Sequence, residues 1–460
     1  MPSFSGSELA TWTGGRWEPS CPQHVNGVST DTRTLVRGNL YIALKGKTMD
    51  GGSFVAQAAA KGAAGAVVTG DHPLRGTASC PLLRVGDTLA AMQSAAVGYR
   101  RNLGVEVVGV TGSAGKTTVK EMIADVLSAI NPVARTMGNF NNEIGVPMSL
   151  LAMERDTRIG VFEVGTNHPG ELAPLCAMIA PKWGVVTNIG PVHLEFFGSI
   201  EGVAAEKSSL LKALPADGSA VLCSDDAFYT KFKSLVRCRV VDVSMLSGAE
   251  ISFSGMTTSG QEVRIVEKSS GEEFCFRPSV PGDHNICNAM MAIAVGRGHG
   301  MGWQDIRRGI EKFVPQPMRW VQEKVAGVTM INDAYNANPM SMRAAVDTFA
   351  RLSSSGRKWL VVGGMLELGL SDLEFHRELG MHIGKGEWAG LLTIGDRGSL
   401  IADGARSAGF SDDRIIICKD NIEAAQALFQ RTRENDMVLL KASRGFHIEE
   451  VRNQYVLLAL

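Results

Sequence analysis

The run Val107-Val108-Gly109-Val110-Thr111-Gly112-Ser113-Ala114-Gly115-Lys116-Thr117-Thr118 constrains this chain more than any other stretch. An apolar segment stops at a glycine-broken turn, Lys-Thr-Thr follows, and Val119 to Ala129 has a helix-forming composition. Strand, tight loop and helix in that order make a phosphate cradle. Small loop residues let backbone N–H groups converge on phosphate oxygens, and the helix N-terminus adds the positive end of its dipole. Gly112, Ser113, Ala114, Gly115, Lys116, Thr117 and Thr118 are therefore the expected phosphate contacts. Lys116 would reach the outer phosphates and the Thr117 hydroxyl would hold Mg²⁺. The loop is shorter than the usual form: the position six residues before the lysine is Val110 rather than glycine.

Bulk properties narrow the class. A chain of 460 residues is long enough for about three domains. Hydrophobic residues make up 45% and charged ones 20%, the balance of a soluble globular protein. The net charge of -1, with no long run of one sign, argues against nucleic acid as a partner. The eight cysteines form no C-x-x-C pair, so free thiols in a reducing compartment are expected. Met1 to Leu9 lacks a basic region followed by an apolar core. No apolar run approaches the ~18 residues of a membrane span. A cytoplasmic monomer is the expectation.

Three segments follow along the chain, at 1–100, 101–315 and 316–460. In the first, Val36 to Leu44 reads as turn then strand, Phe54 to Lys61 as helix and Ala66-Val67-Val68 as a short strand, a small α/β unit. The second holds the phosphate loop, then strands at Arg158–Glu163, Trp183–Asn188 and Ser219–Cys223, with a helical pattern from Gly202 to Leu214 between the last two. That alternation implies a parallel sheet with ligands at the strand C-termini. Val240 to Phe276 changes to short alternating runs, expected to form an antiparallel insert. The third opens at the stiff Pro315-Gln316-Pro317 and carries strands at Val328–Asp333, Trp359–Gly364, Leu391–Gly395 and Met437–Lys441. It reads as a doubly wound, Rossmann-like domain without its own phosphate loop.

Several polar groups fall at strand ends. Glu163 closes an apolar strand where a phosphate-loop fold puts a metal-facing carboxylate; the alternative is a solvated strand-end acid. His193 follows the next strand end, suited to a metal or to a backbone group. Asn139 to Pro147 is dense in amides, which bond peptide or sugar groups or simply build turns. Lys207 lies on a helix beside Glu206, so a salt contact or solvent would satisfy it.

Together these runs resemble the Mur ligases, the ATP-dependent enzymes that build the peptidoglycan stem peptide. The resemblance covers nearly the whole chain. It rests on Asp31-Thr32-Arg33 with Gly46-x-x-x-Asp50-Gly51, the phosphate loop with Val119-Lys120-Glu121-Met122, and Asn139 to Pro147. It continues through Glu163-Val164-Gly165, Gly170-Glu171-Leu172, Thr187-Asn188, His193-Leu194-Glu195-x-x-Gly198, Gly282-Asp283-His284-Asn285 and Asn288-Ala289. Arg319, Asp333-Ala334-Tyr335-Asn336-Ala337-Asn338-Pro339, Met365-Leu366-Glu367-Leu368-Gly369, His376 and Lys441-Ala442-Ser443-Arg444 complete it. The Ala-Tyr-Asn-Ala-Asn-Pro and Met-x-Glu-Leu-Gly runs point to the branch that joins D-alanyl-D-alanine to UDP-N-acetylmuramoyl-tripeptide. The Asp-Asn-Pro-Arg string, frequent in the branch that adds the third residue, does not occur.

The resemblance implies three α/β domains: a small UDP-binding one, a central ATPase-like parallel sheet, and a Rossmann-like one that helps to bind the dipeptide. It implies catalytic roles for Lys116, Glu163, His193 and Lys207. Asn285, Asn288, Arg319 and Asp333 would contact adenine, ribose or phosphate. Asp31, Thr32 and Arg33, with Lys45 and Asp50, would lie near the UDP moiety. Asn139, Asn142, Tyr335 and Asn336 would face the substrates, and Lys441, Ser443 and Arg444 the dipeptide. Thr117, Glu163 and His193 would hold Mg²⁺, joined by Lys207 if carbamylated. A neutral amine is required for that reaction with CO₂, which burial can provide. Two departures stand in the third segment: Gly363-Gly364-Met365 where the family has Gly-Asp-Met, and Ala442 where it has glycine. A phosphate-loop switch or transport ATPase generally keeps the longer loop and a strand-end aspartate, where this chain has Glu163.

Overall fold

A computed structural model describes residues 2–46, 48–77 and 79–460. Three sheets carry the architecture. The strand Glu106–Thr111 is buried along almost its whole length rather than alternating between faces, so it needs covered neighbours on both sides. It lies inside a nine-stranded sheet between Ile159–Glu163 and Trp183–Val186, parallel to both. The register sets Glu163 opposite Val110 and Val186 opposite Thr111. All three following loops therefore rise from one sheet edge. The helix Lys116–Leu127 starts directly at the loop and packs against Asp283–Gly298 and Trp303–Lys312. Asp283–Gly298 is apolar around most of its circumference, with Met290 to Val295 all buried, as a helix enclosed by protein must be.

The stretch expected to be an antiparallel insert extends the same sheet, and only its first strand departs from that expectation. Arg239–Ser244 pairs parallel with Ser219–Cys223, because the helix Tyr229–Leu235 makes the crossover between them. Antiparallel pairing begins only where Ile251–Met256 meets Val263–Glu267 and continues to Glu273–Phe276. Short turns there allow adjacent strands to reverse, which a parallel pair cannot do.

The N-terminal unit has a five-stranded sheet in which Leu40–Ile42, Gly65–Thr69 and Leu82–Val85 run parallel. Its last helix, Thr88–Leu103, is capped by the Asp87 side chain on the Ala90 N–H (2.7 Å) and ended by left-handed Gly104. Met92, Ala96 and Tyr99 of that helix share one apolar core with Val146, Leu150 and Phe162 of the central unit. The C-terminal unit is a six-stranded sheet: the hairpin Val321–Val325/Val328–Asn332, then Met437–Lys441, Lys358–Val362, Gly390–Ile394 and Ile415–Cys418 in parallel. Pairing of Asn332 with Leu440 and of Val362 with Lys441 gathers Asp333, Gly363 and Lys441 at one strand-end crevice, where open α/β sheets place ligands.

Candidate active site

The phosphate loop is stitched to the next strand end rather than standing free. Asn188 accepts from the Ala114 N–H (2.9 Å), Thr187 donates to the Ala114 carbonyl (2.6 Å), and the Ser113 hydroxyl and the Gly190 N–H are bonded at 3.0 Å. Gly112 has φ +145°, and a Cβ there would lie 2.0 Å from Thr187 Oγ1. Only glycine fits that turn. Lys116 donates to the Gly112 carbonyl (2.9 Å), and burial pushes its amine below the ordinary lysine range.

Thr117 and Glu163 meet in the buried floor. The Thr117 hydroxyl donates to Glu163 Oε2 (2.7 Å) and accepts from the Arg319 guanidinium (2.9 Å), which reaches in from beyond the Pro315–Pro317 segment. Asn141 donates to the other Glu163 oxygen (2.7 Å). Arg319 also lies 3.9 Å over the Tyr335 ring, a cation–π contact. Lys441 donates to Asp333 (2.6 Å) across neighbouring strand ends, and Asp333 accepts from the Trp320 N–H (3.1 Å).

These groups open on one cavity of about 720 Å³. Its wall takes in Ser113 to Thr118, Asn139, Asn142, Glu163, His193, Asn285, Asn288, Arg319, Asp333, Tyr335, Asn336 and Lys441. Thr30 brings the N-terminal unit to the rim. His193, in a left-handed conformation, holds Glu367 of the C-terminal unit through Nδ1. The imidazole keeps the Glu367 carboxyl below the usual carboxylate range. His193 Nε2 has no hydrogen-bond partner among the described residues.

Lys207 lies behind this wall with 1% of its surface exposed. Glu206 is occupied by the Gly170 and Leu172 N–H groups (2.9 and 2.8 Å), so the salt contact open to it from sequence does not form. Burial first, and then the Lys116 charge, push the Lys207 amine down to about 7.

Other predicted residues stand outside the cavity wall. Asp31 and Arg33 form an exposed ion pair (2.7 Å) next to Thr30, and Arg33 holds the Asp31 carboxyl down to about 2. Thr32 donates to Gln57 (2.8 Å). The exposed Lys45 bridges to Asp50 through the backbone, and the Asp50 side chain caps Gly52 N–H (2.8 Å). Ser443 donates to the Ala337 carbonyl and accepts from the Leu366 N–H (both 3.0 Å), so it ties loops together. Arg444 pairs with Glu449 (2.5 Å). Asn141, Asn188 and Glu367 are site residues that sequence reading left without roles, although each lies inside a run that was singled out.

Three family descriptions cover the chain: the Mur ligase family catalytic domain at residues 24–112, the Mur ligase middle domain at 110–296, and the Mur ligase glutamate ligase domain at 318–444. The chain belongs to the Mur ligase family. It is 37% identical to the UDP-N-acetylmuramoyl-tripeptide–D-alanyl-D-alanine ligase of Bacillus subtilis, over 93% of this chain and 92% of that one. Among solved structures it resembles MurF from Acinetobacter baumannii, with a TM-score of 0.89 and 28% identity over 99% of this chain and 100% of that one. It also resembles MurF ligase from Thermotoga maritima in complex with ADP, with a TM-score of 0.81 and 26% identity over 95% and 98%.

Proposed function

We propose that the chain is an ATP-dependent amide ligase joining D-alanyl-D-alanine to UDP-N-acetylmuramoyl-tripeptide, with release of ADP and phosphate. The observation that carries this reading is the single cavity shared by the phosphate loop, Glu163 and the strand ends of the C-terminal sheet. The full-length likeness to ligases of that name supports the choice of substrates. We assign residues 1–100 to the UDP-linked substrate, 101–315 to ATP and 316–460 to the dipeptide. The reading belongs to a cytoplasmic monomer.

A carboxylate is a poor acyl donor, so ATP must activate it. The tripeptide carboxylate attacks the γ-phosphorus and ADP departs with the bonding pair, leaving an acyl phosphate. The dipeptide amine then adds to the acyl carbon, loses its proton and expels phosphate. Lys116 stabilises charge on the transferring phosphoryl oxygens. Water would hydrolyse the acyl phosphate, so the C-terminal unit has to cover the cavity during turnover.

The Thr117 hydroxyl and the Glu163 carboxylate are the hard oxygen donors that Mg²⁺ accepts beside phosphates and water. No group of three or more acidic, histidine or cysteine side chains converges among the described residues. That suits an ion completed by substrate oxygens. Mg²⁺ held there would neutralise charge on the phosphoryl oxygens. His193 suits a second ion, because its Nδ1 contact with Glu367 leaves Nε2 for a ligand. Lys207, with its amine near 7, has the neutral fraction that carbamylation consumes: the amine forms a C–N bond to CO₂ and gives up a proton.

The test incubates the protein with ATP, Mg²⁺, D-Ala-D-Ala and tripeptide precursors carrying lysine or diaminopimelate at the third position. The expected result is a product heavier by one dipeptide residue pair, with phosphate release that requires D-Ala-D-Ala. Release that ignores the dipeptide counts against the reading.

A further inference from the structure

Glu163 is 1% exposed, and its carboxylate could pivot about its last torsion unless something fixes it. Thr117 holds one oxygen (2.7 Å) and Asn141 holds the other (2.7 Å). Asn141 is itself locked by backbone: its N–H donates to the Asn139 carbonyl (2.7 Å), and its carbonyl accepts from the Gly165 N–H (2.9 Å). Gly165 leaves room for the amide, since a Cβ there would stand 2.6 Å from Asn141 Nδ2.

The loop carrying Asn141 is anchored from below. Lys120, with 0% exposure, pairs with Glu121 and donates to the carbonyls of Thr136 (2.9 Å) and Gly138 (3.3 Å). The Thr136 hydroxyl accepts from the Glu163 N–H (2.9 Å). The helix that begins at the phosphate loop therefore holds the loop that aims the acid.

We infer that Asn141 is a positioning residue that fixes the Glu163 carboxylate through a single amide donor, with Lys120 as the anchor of its loop. This rests on the reading of Glu163 as the metal-facing acid. Removal of a side chain that orients a metal ligand costs ten- to hundredfold in metal affinity.

The experiment measures Mn²⁺ bound to the full chain in the presence of ADP, by the loss of the free-ion EPR signal. It also measures the Mg²⁺ half-saturation of phosphate release in wild type, Asn141→Ala and Asn141→Leu. Asn141→Ala is expected to weaken Mn²⁺ binding about tenfold. Asn141→Leu is expected to be as weak as Ala, because it restores the volume but donates nothing to Glu163. A residue that merely fills space leaves Leu close to wild type, since Leu keeps the volume and Ala does not. Gly165→Ala leaves Asn141 in place but displaces its amide, and is expected to weaken Mn²⁺ binding in the same direction. It carries the test where an Asn141 variant does not fold. Unchanged Mn²⁺ affinity in the folded variants, or Leu close to wild type, overturns the inference alone. Wild type that holds no Mn²⁺ with ADP overturns it together with the metal reading.

Discussion

Replacing Lys207 by methionine should stabilise the folded protein at neutral pH while removing its activity. The side chain is 1% exposed, and burial with the nearby Lys116 charge brings its amine from 10.5 to about 7. At 1.36 kcal/mol for each tenfold change in proton affinity, burying the charged form costs up to about 5 kcal/mol. The sign follows from proton uptake. Between pH 7 and 10.5 the unfolded chain binds more protons at this lysine than the folded one, so folding becomes more favourable as pH rises through that window. Methionine has nearly the same shape and nothing to titrate. Relative to Lys207→Met, wild type should be less stable by up to about 5 kcal/mol at pH 6.5 and by about 1 kcal/mol at pH 9.5.

Denaturant melts of both proteins in CO₂-free buffer at the two pH values measure that gap. CO₂ is excluded because a carbamate would carry the opposite charge. Wild type at least as stable as the variant at pH 6.5, or a gap that does not shrink by pH 9.5, would refute the reasoning. Loss of D-Ala-D-Ala-dependent phosphate release in a variant that is better folded separates chemistry from stability.

Three further outcomes are expected. Lys116→Met should lower phosphate release about 100- to 1000-fold, by loss of a preorganised charge at the phosphoryl group, read as kcat at saturating ATP. Gly112→Ala places a methyl 2.0 Å from Thr187 Oγ1 and should weaken ADP binding at least about tenfold by calorimetry, a loss of about 1.4 kcal/mol. Asp333→Asn leaves the Lys441 ammonium, 4% exposed, without its acid. Unfolding free energy should fall by about 3 kcal/mol, measured in urea at pH 7.

Local structure was legible in the sequence, and contacts between distant segments were not. The phosphate loop could be read because strand, glycine turn and lysine are contiguous. Glu163 could be read because an acid after an unbroken apolar strand marks a sheet edge. Lys120 stands beside Glu121 in the sequence, and nothing there marks it as buried. Its complete burial comes from the Thr136–Gly138 backbone folding over it, which no periodicity reports. The His193 to Glu367 contact joins residues 174 positions apart. Ser443 and Arg444 share a motif with Lys441, yet only Lys441 reaches the cavity wall, because the chain leaves the strand after Lys441 and turns into the Arg444–Phe446 helical turn. In Val240–Phe276 the alternating pattern was read correctly as strands. The pattern alone does not say how they are joined: the first two pairings are parallel, one across a helix and one across the loop 245–250, and only the later short turns reverse the chain.

The two departures in the C-terminal unit have one packing account. A Cβ on Gly363 would lie 2.7 Å from the Ala442 methyl, so the methyl gained at 442 uses space that Gly363 leaves open. A Cβ on Gly364 would lie 2.6 Å from the Phe446 ring and 2.7 Å from Arg397 Cβ. An aspartate at 364 therefore cannot enter unless both side chains withdraw. Arg397 has a carboxylate in any case, since its Nε donates to Asp372 (3.0 and 3.1 Å). Asp372 begins the helix Asp372–Gly384, and its carbonyl accepts from His376 Nδ1 (2.6 Å) while His376 Nε2 accepts from the Met365 N–H (2.8 Å). Burial keeps that imidazole below its usual pKa, in the neutral form that one donor and one acceptor nitrogen require. Asp372 thus supplies the carboxylate of Arg397 from the helix that also carries the histidine fixing the Gly363-Gly364-Met365 turn. The same turn leads within two residues to Glu367, the partner of His193. The histidine that fixes the turn and the glutamate that holds His193 at the cavity wall thus belong to one continuous stretch of the C-terminal unit.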